Sequence, residues 1–235
     1  KASVSGLNLS IPSGFAGVDV PVTVTYATTG VGGAVTSGTS STLTLDEIKY
    51  TVGNTVKTTP TASVAANTMK VVASYPTLAL GQSDGHLATG QVKLATFTIT
   101  ANANGQIKLE NLPLTVSTSG NVTASSQANN ILVTDAASGA TITTTNTALS
   151  VGTGSSGNVT VAFTNGYTIP AGTSKTFNIF LKTAANVTGN AGVNTITTQL
   201  GSSSSFTWDD VVGNGSSLTG ASIFNYPTAT STITN

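Results

Sequence analysis

The chain has 235 residues, with eight Lys/Arg against eight Asp/Glu and only 7% charged side chains, where ordinary soluble domains carry about 25%. Balanced, scattered charge disfavours nucleic-acid partners, and the absence of cysteine removes thiol and disulfide chemistry. No uninterrupted apolar run is long enough for a membrane-spanning helix, so no transmembrane segment is expected. Hydroxyl and amide groups supply the polar surface instead, and a surface with little charge repulsion favours close assembly.

The first predicted strand is Val18 to Tyr26, with Pro21 favouring its start or a sheet edge. Thr29 to Ser41 is a Gly/Ser/Thr-rich loop, and Leu43 to Val52 is a strand with a bulge at Asp46-Glu47, where alternation slips. Thr58 to Asn67, with Pro60, reads as a linker or crossover. Met69 to Tyr75 follows as a strand, and Ala79 to Gly90 holds the sole histidine, His86. Gln91 to Ala101 alternates strongly, setting Val92, Leu94 and Thr96 against Lys93, Ala95 and Phe97. Asn102 to Gly105 reads as a hairpin turn. Gln106 to Leu114 and Leu114 to Val122 read as neighbouring strands bent around Pro113.

Asn130 to Thr134 is a short strand, stopped by Asp135 to Gly139. Thr141 to Val151 is β-branched and reads as an edge. Val159 to Lys182 gives the clearest strand–turn–strand signal and predicts a stable hairpin: Val159, Val161 and Phe163 share a face, as do Phe177, Ile179 and Leu181. Asn186 to Gly192 is a polar loop, Val193 to Leu200 a strand, Phe206 to Val212 an aromatic segment, and Thr228 to Thr234 a Thr-rich tail suited to a sheet edge.

Parts of the chain echo one another. Ile11-Pro12-Ser13-Gly14 matches Ile169-Pro170-Ala171-Gly172, Thr42 to Glu47 matches Ser205 to Asp210, and Tyr75-Pro76-Thr77 matches Tyr226-Pro227-Thr228. With no 3.6-residue apolar pattern, the fold expected is all-β: an antiparallel immunoglobulin-like or jelly-roll β-sandwich of one and a half units. Residues 1–60 form a half-unit or assembly segment, 61–227 the main sandwich, and 228–235 a terminal strand or tail. Two readings of the half-unit stay open. The chain is a piece of a longer repetitive protein, or its terminal strands complete sheets in neighbouring copies.

Candidate sites are sparse. Asp209 and Asp210, with Asp135, are candidate calcium ligands, since calcium takes several hard oxygen donors. Solubilising loop acids and caps account for the same residues more simply. Trp208 and Tyr167 are candidate sugar-stacking residues, with core anchoring as the plainer role. His86 beside Asp84 lacks a marked nucleophile, and no Gly-x-Ser-x-Gly elbow occurs, so no enzyme and no catalytic residue is expected. Asn8, Asn121, Asn158, Asn186 and Asn214 head Asn-x-Ser/Thr triplets and are glycosylation candidates, although a chain this rich in Asn, Ser and Thr also makes them by chance.

Val71 to Tyr226 resembles repeated secreted surface domains of bacteria, in Gly90 to Ile99, Tyr167 to Phe177 and Phe206 to Asp210. That resemblance implies a surface-layer, adhesin or pilus-associated β-sandwich on the cell surface or outside the cell. The architecture is also broadly similar to fibre subunits assembled by donor strands. The function expected is a structural subunit of a filament, pilus-like fibre or surface array, a homo-polymer built by strand-edge pairing. The alternative is a glycan- or cell-binding adhesin module. No cofactor is expected beyond calcium as a candidate ion.

Overall fold

The computed structural model describes residues 3–7, 9–14, 19–24, 37–83, 86–87, 90–181, 185–187, 193–210, 218–223 and 225–234. Short β-branched and Thr-rich runs between Gly, Pro and Asn make strands rather than helices here. The first four are β1 (Ser40–Ser41), β2 (Thr44–Val52), β3 (Thr55–Ala65) and β4 (Met69–Lys70). Next come β5 (Pro76–Gly81), β6 (Val92–Ala101), β7 (Ile107–Ser119), β8 (Val122–Ser126), β9 (Ile131–Asp135), β10 (Thr141–Ile142), β11 (Thr144–Asn146) and β12 (Leu149–Val151). The remainder are β13 (Ser156–Ile169), β14 (Ser174–Leu181), β15 (Ala185–Val187), β16 (Thr195–Leu200), β17 (Thr207–Asp209), β18 (Leu218–Thr219) and β19 (Thr230–Thr234), with one 3-10 turn at Gly220–Ser222.

Every pairing is antiparallel. One sheet runs β10-β9-β14-β6-β5; a second runs β11-β13-β7-β16-β19, with β17 beside β7 and β18 beside β17. A small third sheet, β12-β8-β15, adjoins them. The sheets pack on one continuous core. Phe97, Ile99, Phe177 and Ile179 come from the first, and Leu109, Leu114, Val161 and Trp208 from the second. Val122, Ala124 and Leu149 come from the third. The architecture is thus all-β and sandwich-like, with large side chains from facing sheets filling the space between them.

The Val159–Lys182 hairpin is corrected. β13 pairs with β7 and β11, whereas β14 pairs with β6 and β9, so the two strands lie in different sheets. Pro170 to Thr173 is an arch that carries the chain across the core. Alternation has the same period in an arch and in a hairpin, so the pattern alone cannot separate them. What separates them is the sheet each strand joins, β13 lying along β7 and β14 along β6. The arch sets their core-facing sides toward each other: Phe163 meets Phe177 at 5.6 Å between ring centroids, and Tyr167 meets Phe177 edge-on at 5.2 Å.

Asn102–Gly105 is likewise an arch and not a hairpin turn, because β6 and β7 belong to different sheets. The two arches are joined: the Ala101 N–H donates to the Thr173 carbonyl at 3.0 Å, and the Gly172 N–H to the Asn102 carbonyl at 3.2 Å. Gly172 has φ +68°, a left-handed conformation that glycine adopts without steric cost.

Three further strand readings change. Ile107 to Ser119 is one continuous strand through Pro113. On that side β16 pairs only as far as Leu114 and β17 starts at Asn111, so Pro113 falls in the handover. Its carbonyl still accepts the Gly201 N–H at 2.9 Å. A proline at such an interruption forfeits no ladder donor. In β6 the register shifts opposite Ile179–Phe180, and Leu94 and Ala95 are both buried. That bulge turns Val92 and Leu94 toward the core, away from the threonine face they were expected to share. Residues 19–24, the described part of the predicted Val18–Tyr26 strand, do not form a strand.

Residues 37–72 form an arm. β1 pairs with β4 at its foot, and β2 and β3 continue outward as a two-stranded ribbon turning at Gly53–Asn54. The expected bulge at Asp46 is present as a register shift between Leu45 and Glu47. The boundary placed after residue 60 falls inside β3.

Candidate functional site

An all-β protein can pair with others wherever a strand edge is left open, because the edge presents unpaired N–H and C=O groups. The two large sheets end on short strands, β10 and β5 in the first and β11 and β19 in the second, none longer than six residues. On one side β5 and β19 are stitched together: the Gln82 side-chain amide donates to the Thr230 carbonyl at 2.6 Å and accepts the Thr232 N–H at 3.2 Å. Ser231, fully buried, accepts the Ser83 N–H at 2.9 Å and donates to the Leu94 carbonyl at 3.0 Å. The terminal strand is therefore held in its own body. On the other side the chain steps straight from β10 to β11, and the Thr164 N–H donates to the Thr143 carbonyl at 3.2 Å. The edges of the third sheet, β12 and β15, are each three residues long, too short to template much pairing.

The long open edges lie on the arm. Among the described residues, β2 and β3 pair only with each other, and every side chain of β2 is exposed. At about 3.3 Å per residue, the regular stretch Glu47–Val52 of β2 spans roughly 20 Å of edge. The register puts Ile48, Tyr50 and Val52 on one face, opposite Thr59, Lys57 and Thr55. Glu47, Lys49 and Thr51 take the other face, where Glu47 and Lys49 form an exposed ion pair at 3.5 Å. On β2 itself one face is therefore apolar and the other charged, and both are exposed. Leu7, Leu9, Ile11, Val20, Val22 and Val24 show the same alternation and are also exposed.

The arm is fixed at its base by Asp210. This carboxylate is 1% exposed and accepts the Ala73 N–H at 2.9 Å and the Ser37 hydroxyl. Around it, the Gly38 N–H donates to the Val71 carbonyl at 2.8 Å, and the Ser74 hydroxyl to the Gly105 carbonyl at 2.6 Å. Sequence reasoning missed this lock. The echo between Thr42–Glu47 and Ser205–Asp210 marks Asp210, but nothing local links it to Ser37 or Ala73, 173 and 137 residues away.

The sequence-predicted residues are dispersed. Asp135 ends β9 and binds the Lys175 ammonium and, at 2.9 Å, the Ala137 N–H. Lys175, and behind it the Ala137 amide, hold the Asp135 carboxyl below its usual range; Asp135 in turn raises Lys175. Asp209 lies in β17 and Asp210 just after it. Among the described residues no group of three or more His, Cys, Asp or Glu is placed to hold a metal ion. Trp208 is fully buried and presents no face to a sugar. Its reading as a stacking residue is corrected: a core built mostly of small and aliphatic residues takes in the one large indole. Tyr167 is half-buried against Phe163 and Phe177.

His86 is exposed, and Asp84 lies outside the described residues. Asn121 is exposed in the turn after β7, and its N–H donates to Asn194. Asn158 is exposed on β13, and its side-chain oxygen accepts the Thr115 hydroxyl at 2.7 Å. Asn186 lies in β15; Asn8 and Asn214 fall outside the described residues. No helix among the described residues is long and apolar enough to cross a membrane. No family model matches the chain, and no curated protein matches its sequence.

Proposed function

We propose that this chain is a non-enzymatic structural subunit of an extracellular filament, pilus-like fibre or surface array, assembled by β-strand edge pairing. One observation carries the reading: the body's large sheets end on strands of six residues or fewer, with β19 tied down by Gln82, while among the described residues the long strands of the arm pair only with each other. A two-stranded ribbon is marginal alone and gains stability from a third strand or a covering surface. The low charge fits, because neighbouring subunits repel one another little. The crossing of the chain between sheets at both arches supports an immunoglobulin-like or jelly-roll assignment for the body.

Negative-stain microscopy of the purified protein tests the reading, with fibres or a lattice expected. Replacing residues 44–65 by a short Gly/Ser turn should leave the body folded and abolish assembly. Assembly of that ribbonless protein to the same extent as the intact chain would overturn it. Removing residues 228–235 should instead destabilise the body, since β19 fills the edge beside β16.

A further inference from the structure

We infer that the arm's partner is the arm of a second copy, joined through β2 in an antiparallel, twofold pairing centred on Ile48. This rests on the assembly reading above and gives it a partner and a register. Of the ribbon's two strands, β2 is the continuous one. From Glu47 to Val52 it pairs residue for residue, whereas β3 carries Pro60 and the extra residues 61–63 opposite Asp46. Proline and bulges are the usual means by which an edge is made unfit for further pairing. The outer edge of β2 has neither between Glu47 and Val52.

Charge selects the register. In a twofold antiparallel pair centred on Ile48, Glu47 lies opposite the second copy's Lys49, and Lys49 opposite its Glu47. Centring on Glu47 or Lys49 sets like charges face to face, and centring on Tyr50 pairs neither residue with a charge. Only the Ile48 register gives two opposite-charge pairs, both on the face that already carries Glu47 and Lys49. On the other face Ile48 meets its twofold mate, and each Tyr50 lies diagonal to the opposite Ile48, within reach of a large side chain. The product is a four-stranded sheet, β3-β2-β2-β3, in which Ile48 and Tyr50 of the two copies meet at the centre of one face, flanked by Lys57 and the threonines of β3. A ribbon of marginal stability becomes the centre of a sheet of ordinary size.

Charge exchange tests this in the full chain by sedimentation velocity. Glu47→Lys leaves two lysines at these positions and Lys49→Glu two glutamates, so each variant alone sets like charges opposite. Each should associate about tenfold more weakly than wild type. Their one-to-one mixture makes both pairs complementary again and should regain wild-type association. Because the chain has no cysteine, Ile48→Cys adds a clean reporter. Directly opposed residues lie about 4.5–5.5 Å apart between Cα atoms, within disulfide reach. Mild oxidation should link that variant into covalent dimers, and should leave a Val56→Cys control largely monomeric.

Single-charge variants that associate like wild type, or a mixture no tighter than either variant, would overturn the proposal. Fibres that persist in both charge variants would sink the β2 register and leave the assembly reading standing. Discrete wild-type dimers that never grow further would support the register and count against the filament.

Discussion

The same short sequence pattern occurs twice in this protein and meets two different fates. Ile169, at the arch in the body, is 1% exposed; its counterpart Ile11 is 58% exposed. Phe206 and Trp208 are fully buried, whereas Leu43 and Leu45 are 41% and 46% exposed. Asp210 is enclosed by Ser37 and Ala73, while its counterpart Glu47 sits in solvent with Lys49. Thr207–Asp209 and Thr44–Val52 are both extended strands. Local pattern therefore sets the conformation, and the presence of a facing sheet sets the burial. In the body, β7 supplies a partner for β13, β16 and β17. The N-terminal copy's strand pairs with β3 alone among the described residues, and Leu43 and Leu45 stay exposed.

The contrast breaks most visibly under truncation of apolar side chains. Phe177 is fully buried where β14 meets Phe163 and Tyr167, so Phe177→Ala should cost about 3–5 kcal/mol in denaturant unfolding, including the cavity left behind. Ile48→Ala, on the ribbon, should change monomer stability by less than about 0.5 kcal/mol while weakening self-association. Equal losses in the two variants would mean that the ribbon is buried in solution as the body is.

The junction between the regions comes next in size. Asp210→Ala removes the one oxygen, Oδ2, that accepts from both Ser37 and Ala73. Loss of a buried charged acceptor costs about 1–3 kcal/mol. Local opening should concentrate at residues 37–40 and 70–74, read by amide hydrogen exchange. Uniformly faster exchange across the body would show that Asp210 supports the core rather than the arm.

Much of the fold was legible in the residues, and the gaps have physical causes. The strands, the alternation on β14 and the bulge at Asp46 follow from side-chain period and turn residues, which are local. Hairpin versus arch at Pro170 and at Asn102 was not legible, because each depends on which sheet the following strand joins. The continuous strand through Pro113 depends on where β16 stops. The site was less legible still. Ile48, Tyr50 and Val52 read only as part of a strand, and it is their exposure in the fold that marks them. Asp210 was marked only by its acidic neighbour, because Ser37 and Ala73, which donate to it, lie far away in sequence.

The smallest expected effect is electrostatic and confined to the body. Lys175 holds the Asp135 pKa below its ordinary 3.8, and Asp135 holds Lys175 above its ordinary 10.5. A carboxyl with a depressed folded pKa contributes stability above its unfolded value, and loses it as pH falls through the folded one. A lysine with a raised pKa contributes below its unfolded value, and loses it as pH rises through the folded one. The pair therefore joins β9 to β14 across the neutral range and weakens at both extremes. Lys175→Met should lower Tm slightly near pH 7. That deficit relative to wild type should shrink as pH drops below 3.8 and again as it climbs past 10.5. The arm's Glu47–Lys49 pair is the internal control, because it is exposed on a single strand and exposed pairs contribute little. Lys49→Met should leave the Tm profile of the monomer unchanged at every pH, and a deficit at pH 7 as large as that of Lys175→Met would erase the distinction between a strand-bridging pair and a solvated one.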